Sequence, residues 1–224
     1  VNRDLALALA FWKREWRLLM RQRNDLMEPL AFYLLGLFLM QVASAQFPHA
    51  FETLLPAFLW VLGLLAASYS FTAGWRDELA RGELAELVRA DAPLALLALV
   101  RVGVGWFSVG LPLAVIAFGA SLAFGTQAPA ALQLALALLL GLALVCLIGN
   151  LIASLALGAG RSSLLIALLL LPLTSPVLIF GIGASSLTLM DAKAAFLMLG
   201  AFTAIALPLV PLAIAFMLKA VEDV

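Results

Sequence analysis

Residues 102–160 read VGVGWFSVGLPLAVIAFGASLAFGTQAPAALQLALALLLGLALVCLIGNLIASLALGAG, 59 positions without one Asp, Glu, Lys or Arg. A helix needs roughly 20 apolar residues to cross about 30 Å of hydrocarbon at about 1.5 Å per residue. This run is long enough for two crossings. Near its middle stands Phe124-Gly125-Thr126-Gln127-Ala128-Pro129, a turn-like sequence that divides it. Charged residues are also absent from 29–51, 53–75, 162–190 and 194–218, each fit for one crossing. The reading is an all-α integral membrane protein with six transmembrane helices, at about 29–47, 54–75, 94–123, 131–157, 164–183 and 195–218. The alternation of a membrane β-barrel is missing from the pattern.

Composition agrees. Of the 224 residues 65% are hydrophobic and 12% charged, and the mean hydropathy is +1.14. A soluble domain is nearer 45–50% apolar and about 25% charged, so lipid must solvate part of this surface. Basic and acidic residues balance at 13 each, which gives no indication of a nucleic-acid partner. Their placement is lopsided. Twelve of the 13 Lys and Arg fall on one side of the expected topology, and only Lys193 on the other. The positive-inside rule then places both termini in the cytoplasm. Ala43-Ser44-Ala45 resembles a signal-peptide cleavage site, but the region before the apolar run is 28 residues long and helical in pattern, so no cleavage is expected there.

One domain is expected over 1–224, in four parts: an amphipathic elbow helix at 1–28, spans one and two at 29–75, a loop at 76–92, and spans three to six at 93–218. In the elbow, Leu5, Leu9, Trp12, Trp16 and Leu19 recur at helical spacing, with Lys13, Arg14, Arg17 and Arg21 opposite. That pattern suits a helix lying in the membrane interface, either as a simple anchor or as an element that packs on the bundle and moves with it. Eight charged residues crowd positions 76–91, and Leu84, Leu87 and Val88 make a short apolar stripe among them. A short helix of this kind is suited to docking on a partner; a merely solvated loop is the plainer reading.

The loop resembles the coupling helix of ABC-2 type permeases, with Arg76, Asp77, Glu78, Gly82, Leu84, Leu87 and Pro93 in matching order. Glu86 stands one place later than the usual acid, and Ala85 occupies that position. Arg101, Trp106, Gly110-Leu111-Pro112-Leu113 and Leu171-Pro172-Leu173-Thr174-Ser175-Pro176-Val177 extend the likeness, so the whole chain resembles the haem exporter protein B (CcmB) family. The resemblance implies the permease subunit of a cytochrome c maturation ABC transporter in the bacterial inner membrane. Arg76, Asp77, Glu78, Gly82, Glu83, Leu84, Glu86 and Leu87 would couple it to an ATP-binding subunit. It implies further partners: a second permease copy or the haem-handling membrane subunit of the same system, a small single-span subunit and a periplasmic haem chaperone. Haem would be transported or handled rather than held as a cofactor, and the rival substrates are a lipid, polysaccharide or drug. A non-transporting assembly scaffold is the rival from another class.

The chain carries no G-x-x-x-x-G-K-[ST] sequence, so ATP is expected on the partner subunit. The spans show no converging ionisable groups beyond Arg101, which speaks against catalysis. Cys146 is the one cysteine, so no intrachain disulfide is expected, and the one histidine, His49, is nearly a hundred residues away, so no metal cluster is expected either. His49 reads as a polar loop residue rather than a haem ligand. Hinge or path candidates are Arg101, Pro112, Asn150, Pro172 and Pro176. Pro172 and Pro176 are read as either breaking span five or simply packing in it, and Asn150 as bonding across a helix interface. Arg101 is expected to reach lipid phosphate, a cytoplasmic partner or the preceding loop.

Overall fold

The computed structural model describes residues 2–21, 23–44, 48–69, 75, 79, 81–89, 92–158, 163–185 and 189–222, and among these the regular structure is helical, with no strand. In chain order the helices are α1 (Asn2–Arg21), α2 (Arg23–Ser44), α3 (Pro48–Ser68), the short α4 (Glu83–Arg89), α5 (Leu94–Gly105), α6 (Leu111–Ala123), α7 (Ala128–Gly158), α8 (Ser163–Ala184) and α9 (Leu189–Glu222). A π-helical turn, Trp106–Gly110, joins α5 to α6 into one long rod.

Among the described residues four segments are long and apolar enough to cross a bilayer: Leu26–Ser44, Leu94–Ala123, Ala128–Leu157 and Ala192–Val221. Shorter apolar stretches, Thr53–Ser68 and Leu169–Ala184, lie within α3 and α8. The chain is therefore a multi-pass membrane protein. The turn expected at 124–129 is present: the N–H groups of Phe124, Gly125 and Thr126 close back onto Ala120, Leu122 and Ser121, and α7 starts at Ala128 with Pro129 in its first turn, where a missing N–H costs no helical bond.

Boundaries shift elsewhere. The elbow ends at Arg21 rather than 28, and residues 24–28 begin α2, which carries Pro29 in its interior. Helix α3 starts at Pro48 and ends at Ser68, earlier than the expected 54–75, and residues 70–74 fall outside the described set. Proline at a first helical position is pre-set for helix and withholds an N–H that has no partner there anyway.

Helix α7 is the centre of the bundle. It packs against α9, α8, α6 and α3, while α9 also meets α8 and α5. Leu134, Leu138, Leu142 and Val145 of α7 are buried. Trp60 of α3 is fully buried against it; the ring lies over Gly141 and Gly181, where an added Cβ would come within 2.4 Å of the indole. The indole N–H of Trp60 donates to Ser185 Oγ at 2.9 Å. Small residues at such points let helices approach, which is what drives packing where lipid removes the hydrophobic contrast between protein and solvent. By contrast, Leu34, Leu35, Phe38 and Leu39 on α2 and Leu197, Ile205, Leu209, Leu212 and Phe216 on α9 are exposed, as lipid-facing side chains should be.

Three polar or proline positions in the spans can be set beside their sequence readings. Helix α8 is not broken at Pro172 and Pro176. Pro176 has no N–H for the Pro172 carbonyl, but Ser175 Oγ donates to that carbonyl at 2.8 Å, and Thr174 Oγ1 donates to Leu170 O at 2.7 Å. The Ser175 hydroxyl thus takes over the duty of the missing amide, while that of Thr174 adds a second donor to a carbonyl one turn back. Asn150 does not reach across an interface with its amide: Nδ2 donates to Cys146 O of its own helix at 2.9 Å. Pro112 follows the π turn, in which Leu111 N–H donates to Trp106 O, five residues back. The widened turn absorbs the register disturbed by the proline, and the rod continues to Ala123.

Candidate coupling site around the short charged helix

Gly82 sets the start of α4. Its φ is +71°, in the left-handed region that L side chains rarely adopt, and its N–H closes a turn on Leu79 O at 3.1 Å. The chain reverses there and α4 follows with Glu83 and Glu86 in its first turn and Arg89 in its last, the arrangement that complements a helix dipole. After it, Pro93 precedes α5 and its carbonyl accepts from Leu96 and Leu97.

The leucine stripe points inward, not at a partner. Leu84 is fully buried within the chain's own core, and Leu87 and Val88 are partly buried against the same cluster. Helix α4 is clamped on α9. This corrects the expectation that Leu84 and Leu87 form a docking face, and the reason is that a seven-residue helix has one apolar stripe and needs it to stay attached. What remains exposed is Arg81, Gly82, Glu86 and Arg89. Arg76, Asp77 and Glu78, the other coupling candidates, lie outside the described residues.

Glu83 joins α4 to α1. It pairs with Arg14 of α1 and accepts from Arg81 Nε at 2.7 Å. The hydrogen bond from Arg81, with the charges of Arg14 and Arg81, holds its carboxyl below the usual carboxylate range, outweighing the opposing effect of burial. Arg14 also lies 3.9 Å from Glu15, and Glu15 accepts from Arg101 Nη2 of α5 at 3.1 Å. Charges therefore alternate from Arg81 through Glu83, Arg14 and Glu15 to Arg101, tying three helices together. Arg101 also lies over the ring of buried Trp75, 4.0 Å from its centroid. Neither partner is among the contacts expected for Arg101: Glu15 is on the elbow helix, and Trp75 ends the expected span two.

Glu15 is the residue that sequence reasoning missed. It was legible as the only carboxylate between Asp4 and Asp25, set amid a basic helix face. Its burial follows from a rotation of α1. Phe11 and Glu15 are buried and Ala8, Trp12 and Leu19 half-buried, whereas Leu9 and Trp16 are exposed. The expected single apolar stripe of Leu5, Leu9, Trp12, Trp16 and Leu19 is thus shared between two environments. Trp12 lies on the bundle beside Gly103, where an added Cβ would stand 3.0 Å from the ring, and meets Phe107 edge to face at 5.9 Å. Lys13 and Arg17 are exposed; the side chains of Leu5 and Arg21 fall outside the described set. The hinge and path candidates Asn150, Pro112, Pro172 and Pro176 do not join this site: each lies within the helices described above. Among the described residues no three His, Cys, Asp or Glu side chains gather as a metal would require.

A family model described as CcmB protein matches residues 6–221. The chain belongs to the CcmB family. Relatives of this CcmB-family chain include the protein named heme exporter protein B from Pseudomonas aeruginosa, 38% identical over 208 residues, 92% of this chain and 93% of that protein. The protein of the same name from Haemophilus influenzae is 32% identical over 168 residues, 75% and 76% of the two chains. That from Escherichia coli K12 is 30% identical over 200 residues, 88% and 89%. The matched range takes in α4, the Arg14–Glu83 and Glu15–Arg101 pairs and all the long helices, so the CcmB assignment covers the candidate site as well as the spans.

Proposed function

We propose that this chain is the permease subunit of an inner-membrane ABC transporter for cytochrome c biogenesis, with six crossings formed by α2, α3, the α5–α6 rod, α7, α8 and α9 and with both termini in the cytoplasm. ATP hydrolysis takes place on a separate subunit. Its closure pushes on α4 and biases the bundle between two arrangements, which drives haem export or releases a haem-loaded periplasmic chaperone. A second permease copy or the haem-handling membrane subunit of the same system completes the membrane part, with a small single-span subunit beside it.

Membership of the CcmB family and the names of its relatives support the haem reading. The observation that carries the coupling role is the two-faced construction of α4: leucines locked into the bundle, Glu86 and Arg89 exposed, and Glu83 tied to α1. A force applied to the exposed face reaches α9 directly and reaches α1 and α5 through the charge ladder.

The test is affinity purification of the tagged full chain in mild detergent. A stoichiometric ABC ATPase together with haem-handling maturation proteins is the expected result. Glu86→Lys with Arg89→Glu should release the ATPase while the chain stays inserted and folded; full retention in that variant would refute the docking face. An ATPase without haem-handling proteins would transfer the chain to export of a lipid, polysaccharide or drug. Recovery of an intact assembly with no ATPase would favour the scaffold.

A further inference from the structure

Between α1 and the π turn lies an open groove of about 480 Å³, lined by Trp12, Lys13, Trp16, Arg17 and Phe107. Its walls are set by packing: Trp12 and Trp106 both meet Phe107 edge to face, at 5.9 and 5.2 Å. Its mouth is cationic. Among the described residues Arg14, Arg81 and Arg101 each meet a carboxylate, whereas Lys13 and Arg17 meet none. Arg17 Nε donates to the backbone carbonyl of Lys13 at 3.1 Å, which holds the Arg17 side chain along the turn that carries Lys13 and leaves its outer guanidinium N–H groups and the Lys13 ammonium to an external anion. Away from the mouth the groove continues into an apolar track, since Phe107, Leu111 and Val115 follow at four-residue steps along the rod and are 46%, 37% and 61% exposed.

We propose that this groove binds one anionic diacyl phospholipid, its phosphate on Lys13 and Arg17, its glycerol region against Trp16, and an acyl chain along Phe107, Leu111 and Val115. Charge complementarity selects the headgroup. The apolar track, running along a helix long enough to cross the bilayer, selects a lipid over a soluble anion, and basic recesses beside transmembrane helices are suited to acidic headgroups. The bound lipid would wedge α1 against the rod at the level of Trp12, next to the Glu15–Arg101 pair. The assignment needs only that the rod crosses the membrane, and it holds whether or not α4 serves an ATPase.

The test is native mass spectrometry of the full chain in detergent, supplied with equal amounts of phosphatidylglycerol and phosphatidylcholine. Phosphatidylglycerol adducts should dominate by about tenfold or more, as two interfacial cations would give. Lys13→Gln with Arg17→Gln should abolish the preference, while Lys13→Arg with Arg17→Lys retains it and Lys193→Gln leaves it unchanged. Leu111→Gln with Val115→Gln should weaken retention of both lipids. Equal adducts on the unaltered chain, or a preference that survives the double glutamine variant, would overturn the proposal. Displacement of phosphatidylglycerol by an equal concentration of glycerol phosphate would overturn it too, by reassigning the cations to a soluble phosphate.

Discussion

Arg101 donates to Glu15 across 86 residues of sequence, at 3.1 Å, with both side chains about nine-tenths buried and the guanidinium lying on the ring of Trp75. The pair fixes α1 to α5 at the end of the bundle where α4 sits. Breaking a buried pair by removing one partner costs about 3–5 kcal/mol, because the other charge is left desolvated. Glu15→Ala should therefore lower the melting temperature in detergent clearly, and Glu15→Ala with Arg101→Met should recover much of the loss. A double variant as unstable as the sum of the singles would mean that the two residues act independently. Arg101→Lys should restore little, since an ammonium lacks the planar face that stacks on Trp75.

The Arg14–Glu83 pair is more exposed and contributes less to stability, about 0.2–1 kcal/mol for pairs of this kind. Its effect should be seen in coupling. Arg14→Glu should reduce stimulation of the partner ATPase, and Arg14→Glu with Glu83→Arg should restore part of it. In parallel measurements the melting temperature should fall less than in Glu15→Ala, since Arg14 lies 3.9 Å from Glu15 and is not its hydrogen-bonded partner.

Acidification acts on the same link with a definite sign. Glu83 has its folded-state pKa below the ordinary 4.5, so its contribution is complete above that value and is lost as the pH falls through the depressed one. The attachment of α4 to α1, followed by hydrogen exchange of the α4 amides, should be constant from neutral pH down to about 4.5 and loosen below it. Glu83→Gln should show the loosened exchange at every pH, and an unaltered acid dependence in that variant would assign it to another group.

Trp60 fills the space left by Gly141 and Gly181. Gly141→Ala and Gly181→Ala should each destabilise by about 1–3 kcal/mol, the usual cost of overpacking, or more because the clash is with a rigid ring. Trp60→Phe should relieve either variant while losing the hydrogen bond to Ser185, worth about 1 kcal/mol. Thermal unfolding of the single and double variants measures both effects.

In α8, Ser175 and Pro176 should prove non-additive. Ser175→Ala exposes the Pro172 carbonyl that the hydroxyl now covers at 2.8 Å and should destabilise by about 1 kcal/mol. With Pro176→Ala the backbone N–H returns to that carbonyl, and the same serine substitution should become nearly neutral.

Much of the architecture was legible from residues alone. Charge-free length located the apolar helices, Phe124–Pro129 gave the turn between α6 and α7, and Gly82 with the charges around it gave a short helix outside them. Those features are local: they depend on the cost of placing charge in hydrocarbon and on backbone conformations that glycine and proline favour. The continuity of α8 was nearly legible too, because Ser175 stands three residues after Pro172, whose carbonyl loses its amide donor to Pro176.

Which apolar face meets protein and which meets lipid was not legible. On α2, Leu35 and Phe38 are as hydrophobic as Leu37 and Met40, yet the first two are exposed and the last two buried. Hydropathy separates apolar from polar, and in a membrane both neighbours of a helix are apolar, so burial is decided by shape and by polar pairing. The rotation of α1 was settled by Glu15 needing Arg101 and by Gly103 making room for Trp12. The inward turn of Leu84 was settled by α9 lying within reach. Sequence by itself determined where this chain is helical and apolar; the tertiary structure decided which charges meet, because contacts between residues 14 and 83 or 15 and 101 exist only once the helices are packed.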